Sequence, residues 1–332
     1  MTLRIVTVLL FCLAGHLPTA WAGYENHPKF KQFAQELEKE YNIPEAEARQ
    51  WLAQSKKLDS VLKAIARPAE RTLQWDRYQD IFLTKKRILK GKEFLKKHQA
   101  LLQKAEAKYG VKREVIAAII GVETFYGTRQ GSYRVLDSLA TLAFDYPKRP
   151  LFWKQLKAFF AMAQQENLDP TKIKGSYAGA MGYGQFIPTS FLAYAVDGDG
   201  DGKRDLWKNP ADAIASVANY FKRHGWRDGE PVTQRVRVSG SAYKPLINDN
   251  RKPKWTPAQL TSKGVTLSQT GGNPDRPANL MRLQGKKGAE FWMGEHNFYV
   301  ITRYNHSRLY AMAVYELSQE IRAARDAGAK EK

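Results

Sequence analysis

The stretch Gly121-Val122-Glu123-Thr124-Phe125-Tyr126-Gly127 predicts the core of the fold, because it places a glutamate at the end of an apolar helical run. The residues before it have the three- and four-residue spacing of a buried helical stripe: Val115, Ile116, Ile119 and Ile120. We expect Gly127 to end this helix. Burial disfavours a charged carboxylate, so Glu123 should stay protonated at higher pH than an exposed glutamate and act as a general acid.

The composition and the N-terminus predict an exported globular protein. The chain has 332 residues, of which 43% are apolar and 12% aromatic, enough for two or three subdomains. Residues 5–13 are apolar, and Ala20-Trp21-Ala22 has the small-x-small pattern of a signal-peptidase site. We therefore predict a signal peptide over 1–22 and a soluble periplasmic chain that begins near Gly23. No later segment has the roughly 18 apolar residues of a membrane span.

The cysteine content limits the kinds of site that the mature chain can contain. Cys12 is the only cysteine and lies inside the predicted signal peptide. Phe11 precedes it where a lipid-attachment site has a small residue, which argues against lipid anchoring. Without Cys12 the mature chain has no thiol, so disulfides, cysteine nucleophiles and cysteine zinc ligands are excluded.

The charge indicates an anionic partner. The formal net charge is +20, and removal of the signal peptide leaves +19. Nucleic acid is an unlikely partner for an exported chain, whereas a cell-wall polymer with peptide carboxylates is close at hand and would be attracted by this charge. Single basic clusters such as Lys85-Lys86-Arg87 are typical of a solvated surface.

A run of aspartates begins like an EF-hand calcium loop. The acids stand at alternate positions: Asp197, Asp199 and Asp201. Lys203, at position seven, offers a backbone carbonyl, but position twelve is Lys208 in place of the usual glutamate. Asp212 is the candidate to close the loop, which would then span 197–212. The alternative is a turn without metal, but three such acids would repel one another without a cation, so we expect structural calcium.

A glycine-rich segment over 175–184 predicts a ligand-binding turn. Small residues let a backbone approach a ligand closely, and Ser176 and Gln185 supply the directional hydrogen bonds that sugars need. A phosphate-binding loop is the rival interpretation. Its spacing matches neither the dinucleotide fingerprint nor the P-loop.

The chain divides into blocks by pattern. Residues 23–110 predict a helical domain, and 111–229 predict a mainly helical core with glycine-rich turns. Alternating residues after Pro231 predict a small antiparallel β domain over 230–306. We expect a last helix over 307–326, joined to the first domain, and a disordered tail over 327–332.

These motifs together resemble the lytic murein transglycosylase B family of exported bacterial cell-wall enzymes. The segments that carry the resemblance are 121–127, 175–188, 197–220 and 299–307, within a similarity from about 75 to 315. The resemblance implies a mainly α (α+β) fold with a lysozyme-like helical core, an additional helical domain and a small antiparallel β domain. It also implies a long EF-hand-like loop closed by Asp212.

The resemblance assigns roles by position in this sequence. It makes Glu123 the catalytic acid. The hydrogen-bonding groups of the saccharide groove fall on Ser176, Gln185, Tyr220 and Asn305, and its aromatic walls fall on Tyr78 and Tyr304. A basic pair for stem-peptide carboxylates falls on Lys148 and Arg149. The family has arginine where this chain has Lys148, which loses planar bidentate pairing.

The implied function is cleavage of the MurNAc-GlcNAc β-1,4 bond with formation of 1,6-anhydro-MurNAc ends by one glutamate. Most glycosidases use a second carboxylate roughly 5 to 9.5 Å away. Asp137 and Asp145 are nearest in sequence, but they have the pattern of a helix start and a turn. A hydrolytic muramidase and a non-catalytic peptidoglycan-binding protein stay open as alternatives. We expect a monomer with no catalytic cofactor, and its assembly with cell-wall synthesis complexes stays open.

Overall fold

The computed structural model describes residues 23–66, 73–146, 148, 150–248, 252–268 and 275–330. The predicted signal peptide, with Cys12, lies outside these residues. Among the residues that the structure describes, no helix has both the length and the apolar character needed to cross a membrane.

In the described part of the N-terminal block there are six helices: α1 (Phe30–Tyr41), α2 (Glu45–Leu52), α3 (Asp59–Ala66), α4 (Trp75–Phe82), α5 (Lys85–Lys97) and α6 (Gln99–Tyr109). Helix α1 shows why this block folds. Phe30, Phe33 and Leu37 recur on one face and are buried. Asn42 takes a left-handed conformation after the helix, with φ 56°, and its N–H bonds back to Glu38 O.

The central helices form the core predicted from the apolar stripe: α7 (Arg113–Thr124), α8 (Val135–Asp145), α9 (Leu151–Gln165), α10 (Pro188–Tyr194) and α11 (Pro210–Arg223). Nearly the whole surface of α7 is covered, because it packs against α5, α6, α11 and the C-terminal helix. Two short strands, β1 (Tyr133–Arg134) and β2 (Lys174–Gly175), pair antiparallel beside α8, and the sequence pattern did not predict them.

The predicted small antiparallel sheet is present. Its strands are β3 (Thr233–Val238), β4 (Val265–Leu267), β5 (Asn279–Gly285) and β6 (Gly288–Gly294), in the order β4-β3-β6-β5. Both faces are covered. Val236 and Met293 pack with the short helix α12 (Pro257–Thr261), whereas Met281 and Trp292 belong to the main core.

The C-terminal part returns to helix. Helix α13 (His296–Tyr304) lies inside the range 230–306 that was predicted as a β domain. Helix α14 (Arg308–Lys330) packs on α7 of the core and on α5 and α4 of the N-terminal block. The predicted disordered tail over 327–332 is wrong for 327–330, because α14 continues to Lys330; residues 331 and 332 lie outside the described part.

Glu316 of α14 lies close to the sheet, where burial disfavours the charged form of its carboxyl group. Burial raises the pKa of Glu316 to about 6; Glu320 and Glu290 raise it further, and Arg235 opposes them. An acid whose pKa is higher in the folded state makes stability fall as pH rises through the interval between its unfolded and folded pKa values. Glu316 therefore destabilises the fold above pH 6.

We predict that Glu316→Gln raises the free energy of unfolding by about 2 kcal/mol at pH 7.5 and changes it little at pH 4. Urea unfolding at the two pH values measures this difference. Glu93→Gln, on an exposed position of α5, is the control and should change stability little at either pH. A gain from Glu316→Gln that is equal at both pH values would contradict the assignment.

Candidate active site

The site is built around the C-terminal end of α7. Glu123 lies in the last turn of this helix and is half-buried. The Tyr310 hydroxyl, on α14, donates a hydrogen bond of 2.6 Å to Glu123 Oε1. Burial raises the pKa of Tyr310 well above its usual value, and the Glu123 charge raises it further, so the phenol stays a donor. Tyr310 therefore orients the carboxyl group.

Helix α7 ends earlier than the sequence predicts. Its last residue is Thr124, and Phe125 and Tyr126 both take left-handed conformations, with φ 50° and 61°, before Gly127. Their N–H groups bond to Gly121 O and Ile120 O at 3.1 and 3.2 Å, so the helix closes without glycine. The prediction that Gly127 ends the helix is therefore wrong by three residues.

A buried arginine holds this strained end. Arg87 donates from Nε to Gly121 O at 3.2 Å and from Nη1 to Ile81 O. Its guanidinium lies 5.1 Å from the ring centres of both Phe82 and Phe125. Burial lowers the pKa of Arg87, and the side chain is only 8% exposed. The prediction that its cluster is solvated surface is therefore wrong for Arg87, which ties α7 to the α4–α5 turn.

The glycine-rich segment lies against the same helix end. Thr124 Oγ1 lies 2.8 Å from Tyr183 O and accepts a bond of 2.9 Å from Gly127 N. Gly127 has no room for a side chain, since an added Cβ would lie 2.1 Å from the Tyr183 ring. The end of α7 and this segment are therefore one packed unit.

Ser176 and Gln185, the predicted sugar-binding residues, also build this segment. Ser176 Oγ accepts from the N–H groups of Ala178 and Ala180 at 3.3 and 3.0 Å. Gln185 has φ 50° and donates from Nε2 to Gln130 O and Gly182 O. The Ser176 hydroxyl hydrogen and the Gln185 carbonyl oxygen have no bond to another described residue, and both side chains are half-buried. These two atoms can face a ligand.

The predicted aromatic residues cluster around α13. Tyr304 donates from its hydroxyl to Gly184 O at 2.5 Å, and its ring lies parallel to Tyr310 at 6.4 Å. The Tyr220 hydroxyl donates to Arg303 O at 2.6 Å, and its ring packs edge-on against Tyr304 at 4.7 Å. Burial raises the pKa of Tyr220 and of Tyr304. Tyr304 is half-buried beside the site.

The structure buries two side chains that were predicted to meet the saccharide. Tyr78 is 2% exposed and packs against Phe82, 5.1 Å between ring centres, and Tyr220 is 7% exposed. Both have packing roles here, and their contact with saccharide stays a prediction. Asn305 is half-buried directly after α13.

Lys148 is exposed after α8, and Arg149 lies outside the described residues. The predicted basic pair is therefore described only in part.

The two acids that follow Glu123 in sequence have other partners. Asp137 Oδ1 accepts from Lys56 N at 2.9 Å and pairs with Arg134 at 2.8 Å. Asp145 Oδ2 accepts from the Tyr24 hydroxyl at 2.5 Å. Both acids join α8 to the N-terminal block, so in this structure each has a structural role.

The aspartate loop brings together three of the predicted metal ligands. Asp197, Asp199 and Asp212 have carboxylate oxygens that all lie within 4.8 Å of one another. Asp212 is fully buried in the first turn of α11. Burial raises the pKa of Asp212, and the charges of Asp199 and Asp197 raise it further. A divalent cation would relieve this repulsion.

The other two predicted ligands are placed differently. Asp201 is exposed and lies outside the group, and its Oδ1 accepts from Lys203 N at 2.9 Å. Lys203 was expected to offer only its backbone carbonyl. Hydrogen bonds within the loop fix its turn, since the Asp197 carboxylate accepts from Gly200 N and Gly202 N at 2.6 and 2.8 Å.

Residues 25–319 match the transglycosylase SLT domain family, which is nearly the whole described chain. The chain belongs to this family. Among SLT relatives, the membrane-bound lytic murein transglycosylase B of Escherichia coli K12 is 42% identical over 91% of this chain and 85% of its own. The resemblance inferred from the sequence motifs is therefore confirmed.

Solved structures of SLT relatives share the fold. The soluble lytic transglycosylase SltB1 of Pseudomonas aeruginosa is 45% identical, covers 90% of this chain and 100% of its own, and has a TM-score of 0.86. Escherichia coli Slt35, solved with calcium, is 42% identical over 92% and 97% of the two chains, with a TM-score of 0.83. Pseudomonas aeruginosa SltB3, solved with NAG-anhNAM-pentapeptide, is 33% identical over 88% and 79%, with a TM-score of 0.77. The predicted lysozyme-like, mainly α fold and the enzyme class are confirmed at the level of the SLT family.

Proposed function

We propose that this chain cleaves the β-1,4 bond between MurNAc and GlcNAc in peptidoglycan and closes a 1,6-anhydro ring on MurNAc. The observation that carries the proposal is the bond from the Tyr310 hydroxyl to Glu123 Oε1 at the end of a buried helix. It supplies one oriented, half-buried carboxyl group beside a loop with sugar-binding groups. The relatives' names and bound ligands support the substrate class.

In the first step Glu123 acts as general acid. Its proton goes to the glycosidic oxygen, the bond from that oxygen to MurNAc C1 breaks, and the GlcNAc side leaves as an alcohol. The acetamido oxygen of MurNAc stabilises the positive charge at C1. Tyr304 and Tyr310 enclose one side of Glu123 and reduce the access of water to it.

In the second step Glu123 acts as general base. The MurNAc 6-hydroxyl attacks C1, its proton goes to the Glu123 carboxylate, and the acid is restored. One carboxyl group serves both steps, since the nucleophile belongs to the substrate. This account needs neither Asp137 nor Asp145, whose carboxylates hold α8 in place.

The saccharide contacts follow from the packed unit around Glu123. We propose that the Ser176 hydroxyl, the Gln185 carbonyl oxygen and Asn305 bond the sugar rings, and that Tyr304 lines the groove. We propose that Tyr78 and Tyr220 support the site through packing. Lys148 with Arg149 would meet the stem-peptide carboxylates, where Lys148 supplies a point charge.

We propose a structural calcium ion in the aspartate loop. Asp197, Asp199 and Asp212 fit this ion, because three carboxylates converge and the Asp212 side chain is fully buried. The ion would neutralise their charge and hold the loop to α11. We propose that Asp201 and the Lys203 carbonyl complete the set of ligands. The calcium complex of Slt35 supports this proposal.

The proposed setting is the periplasm, after cleavage of the predicted signal peptide, and the proposed state is a monomer. The high positive charge supports binding to a polymer with carboxylates. Neither the calcium ion nor the location takes part in the proposed reaction at Glu123.

The test is mass spectrometry of muropeptides released from purified peptidoglycan by residues 23–332. We expect products lighter by one water than the corresponding reducing muropeptides. Reducing ends would favour the hydrolytic muramidase. No release, together with co-sedimentation of the protein with peptidoglycan, would favour the binding protein.

A further inference from the structure

The start of the described chain contains a buried acidic oxygen that lacks a donor. Glu25 Oε2 is buried and makes no hydrogen bond, whereas Oε1 accepts from Asn26 Nδ2 at 3.0 Å. The Arg49 guanidinium is close to Glu25 but bonds to groups other than this oxygen. It donates to the backbone oxygen of Glu25 at 3.2 Å and pairs with Glu45 at 2.7 Å. A buried carboxylate oxygen without a donor is costly, so a missing partner is expected.

Gly23 lies directly beside this oxygen. A Cβ added to Gly23 would come within 2.2 Å of Glu25 Oε2, 2.7 Å of Leu52 O and 2.8 Å of Ala53 O. Three oxygens thus surround one glycine and leave no space for a side chain. Two of these oxygens are carbonyls at the C-terminal end of α2, where the helix dipole favours a positive charge. The surroundings suit a cation.

We propose that the missing donor is the α-amino group of Gly23, created when the predicted signal peptide is cleaved after Ala22. In the uncleaved chain Gly23 N is a neutral amide with one hydrogen, and Glu25 Oε2 has no bond. The new ammonium group has three hydrogens and a positive charge. It pairs with Glu25 Oε2 and with the α2 carbonyls, so cleavage completes the fold at this point.

The anchored residue reaches the proposed peptide-binding region. Tyr24 N donates to Leu52 O at 3.1 Å, and the Tyr24 ring stacks on Phe144 at 5.1 Å. The Tyr24 hydroxyl donates to Asp145 at the end of α8, and burial, together with this bond, raises the pKa of Tyr24. Lys148 follows Asp145 after three residues. Anchoring of the N-terminus therefore also fixes the start of the segment that carries Lys148.

The first test is the N-terminus itself. The full chain is expressed in a bacterial host that exports it, and the purified protein is analysed by intact mass and N-terminal sequencing. We expect Gly23 as the first residue. A mature chain that begins at any other residue would overturn the proposal, because its amine could not occupy this place.

The second test compares three forms of the mature chain: one with the free Gly23 amine, one that retains Ala22, and one with an acetylated Gly23 amine. Hydrogen exchange of the Ser55 amide is measured, since this amide bonds to Leu52 O and has the same sequence neighbours in all three forms. We expect about tenfold slower exchange in the free-amine form. Equal exchange in all three forms would overturn the proposal.

Glu25→Gln separates the ion pair from general effects of blocking the terminus. In this variant the three forms should differ by less than about twofold. Glu38→Gln, on an exposed position of α1, is the matched control and should keep the tenfold difference. A tenfold difference that persists in Glu25→Gln would overturn the assignment to Glu25. None of these measurements uses peptidoglycan cleavage, so they are independent of the proposed function.

Discussion

Glu123→Gln is expected to lower the rate of muropeptide release by about 10³-fold or more, because the amide can neither give nor take the proton in the two steps. The side chain keeps its size and can still accept the bond from Tyr310. Binding to peptidoglycan should therefore change little. Initial rates on purified peptidoglycan, with co-sedimentation for binding, measure the two effects separately.

One control variant and one further active-site variant accompany this result. Glu38→Gln, at an exposed position, should release muropeptides at the original rate. Tyr310→Phe removes only the hydroxyl and should lower kcat about tenfold with little change in KM, since it disturbs the orientation of Glu123. A Glu123→Gln protein that folds and keeps more than a tenth of the original rate would remove Glu123 from the catalytic role.

Removal of calcium is expected to produce the second largest effect. At a hundredfold excess over its Kd, a bound ion adds about 2.7 kcal/mol to folding stability, which for a chain of this length corresponds to a fall in Tm of roughly 4 °C when a chelator is added. The loss arises from renewed repulsion among Asp197, Asp199 and Asp212. Thermal scans with calcium, with magnesium and with chelator measure it.

Asp212→Asn tests which residues hold the ion. This variant should abolish the calcium-dependent rise in Tm, because it removes the buried acid of the group. Asp169→Asn is the control, since Asp169 is a turn acid that bonds to Thr171. A Tm that does not respond to calcium in the original chain, or responds equally after Asp212→Asn, would contradict the proposed site.

The helical core could be predicted from periodicity, because α7 buries the residues that repeat at three- and four-residue spacing. Its end could not. Phe125 and Tyr126 adopt left-handed conformations that their own preferences oppose. The contacts that hold them come from distant residues, among them Arg87, which follows two lysines in the sequence. Local patterns carry no signal for such tertiary support.

The site was predictable in part for the same reason. Glu123 stands out because it follows an apolar stripe, whereas its partner Tyr310 is 187 residues away and is brought near only by the packing of α14 on α7. The aspartate loop could be predicted because its acids are close in sequence. The burial of Tyr78 and Tyr220 could not, since an aromatic residue in a motif can serve either as a wall or as core.

The central claim is that the substrate's own 6-hydroxyl, and not water, attacks MurNAc C1. The most direct test is digestion of purified peptidoglycan in water enriched in oxygen-18, followed by mass spectrometry of the newly formed MurNAc ends. We predict 1,6-anhydro ends that contain no oxygen-18. Reducing ends that carry one oxygen-18 atom would show attack by water, and would contradict the single-glutamate mechanism proposed for Glu123.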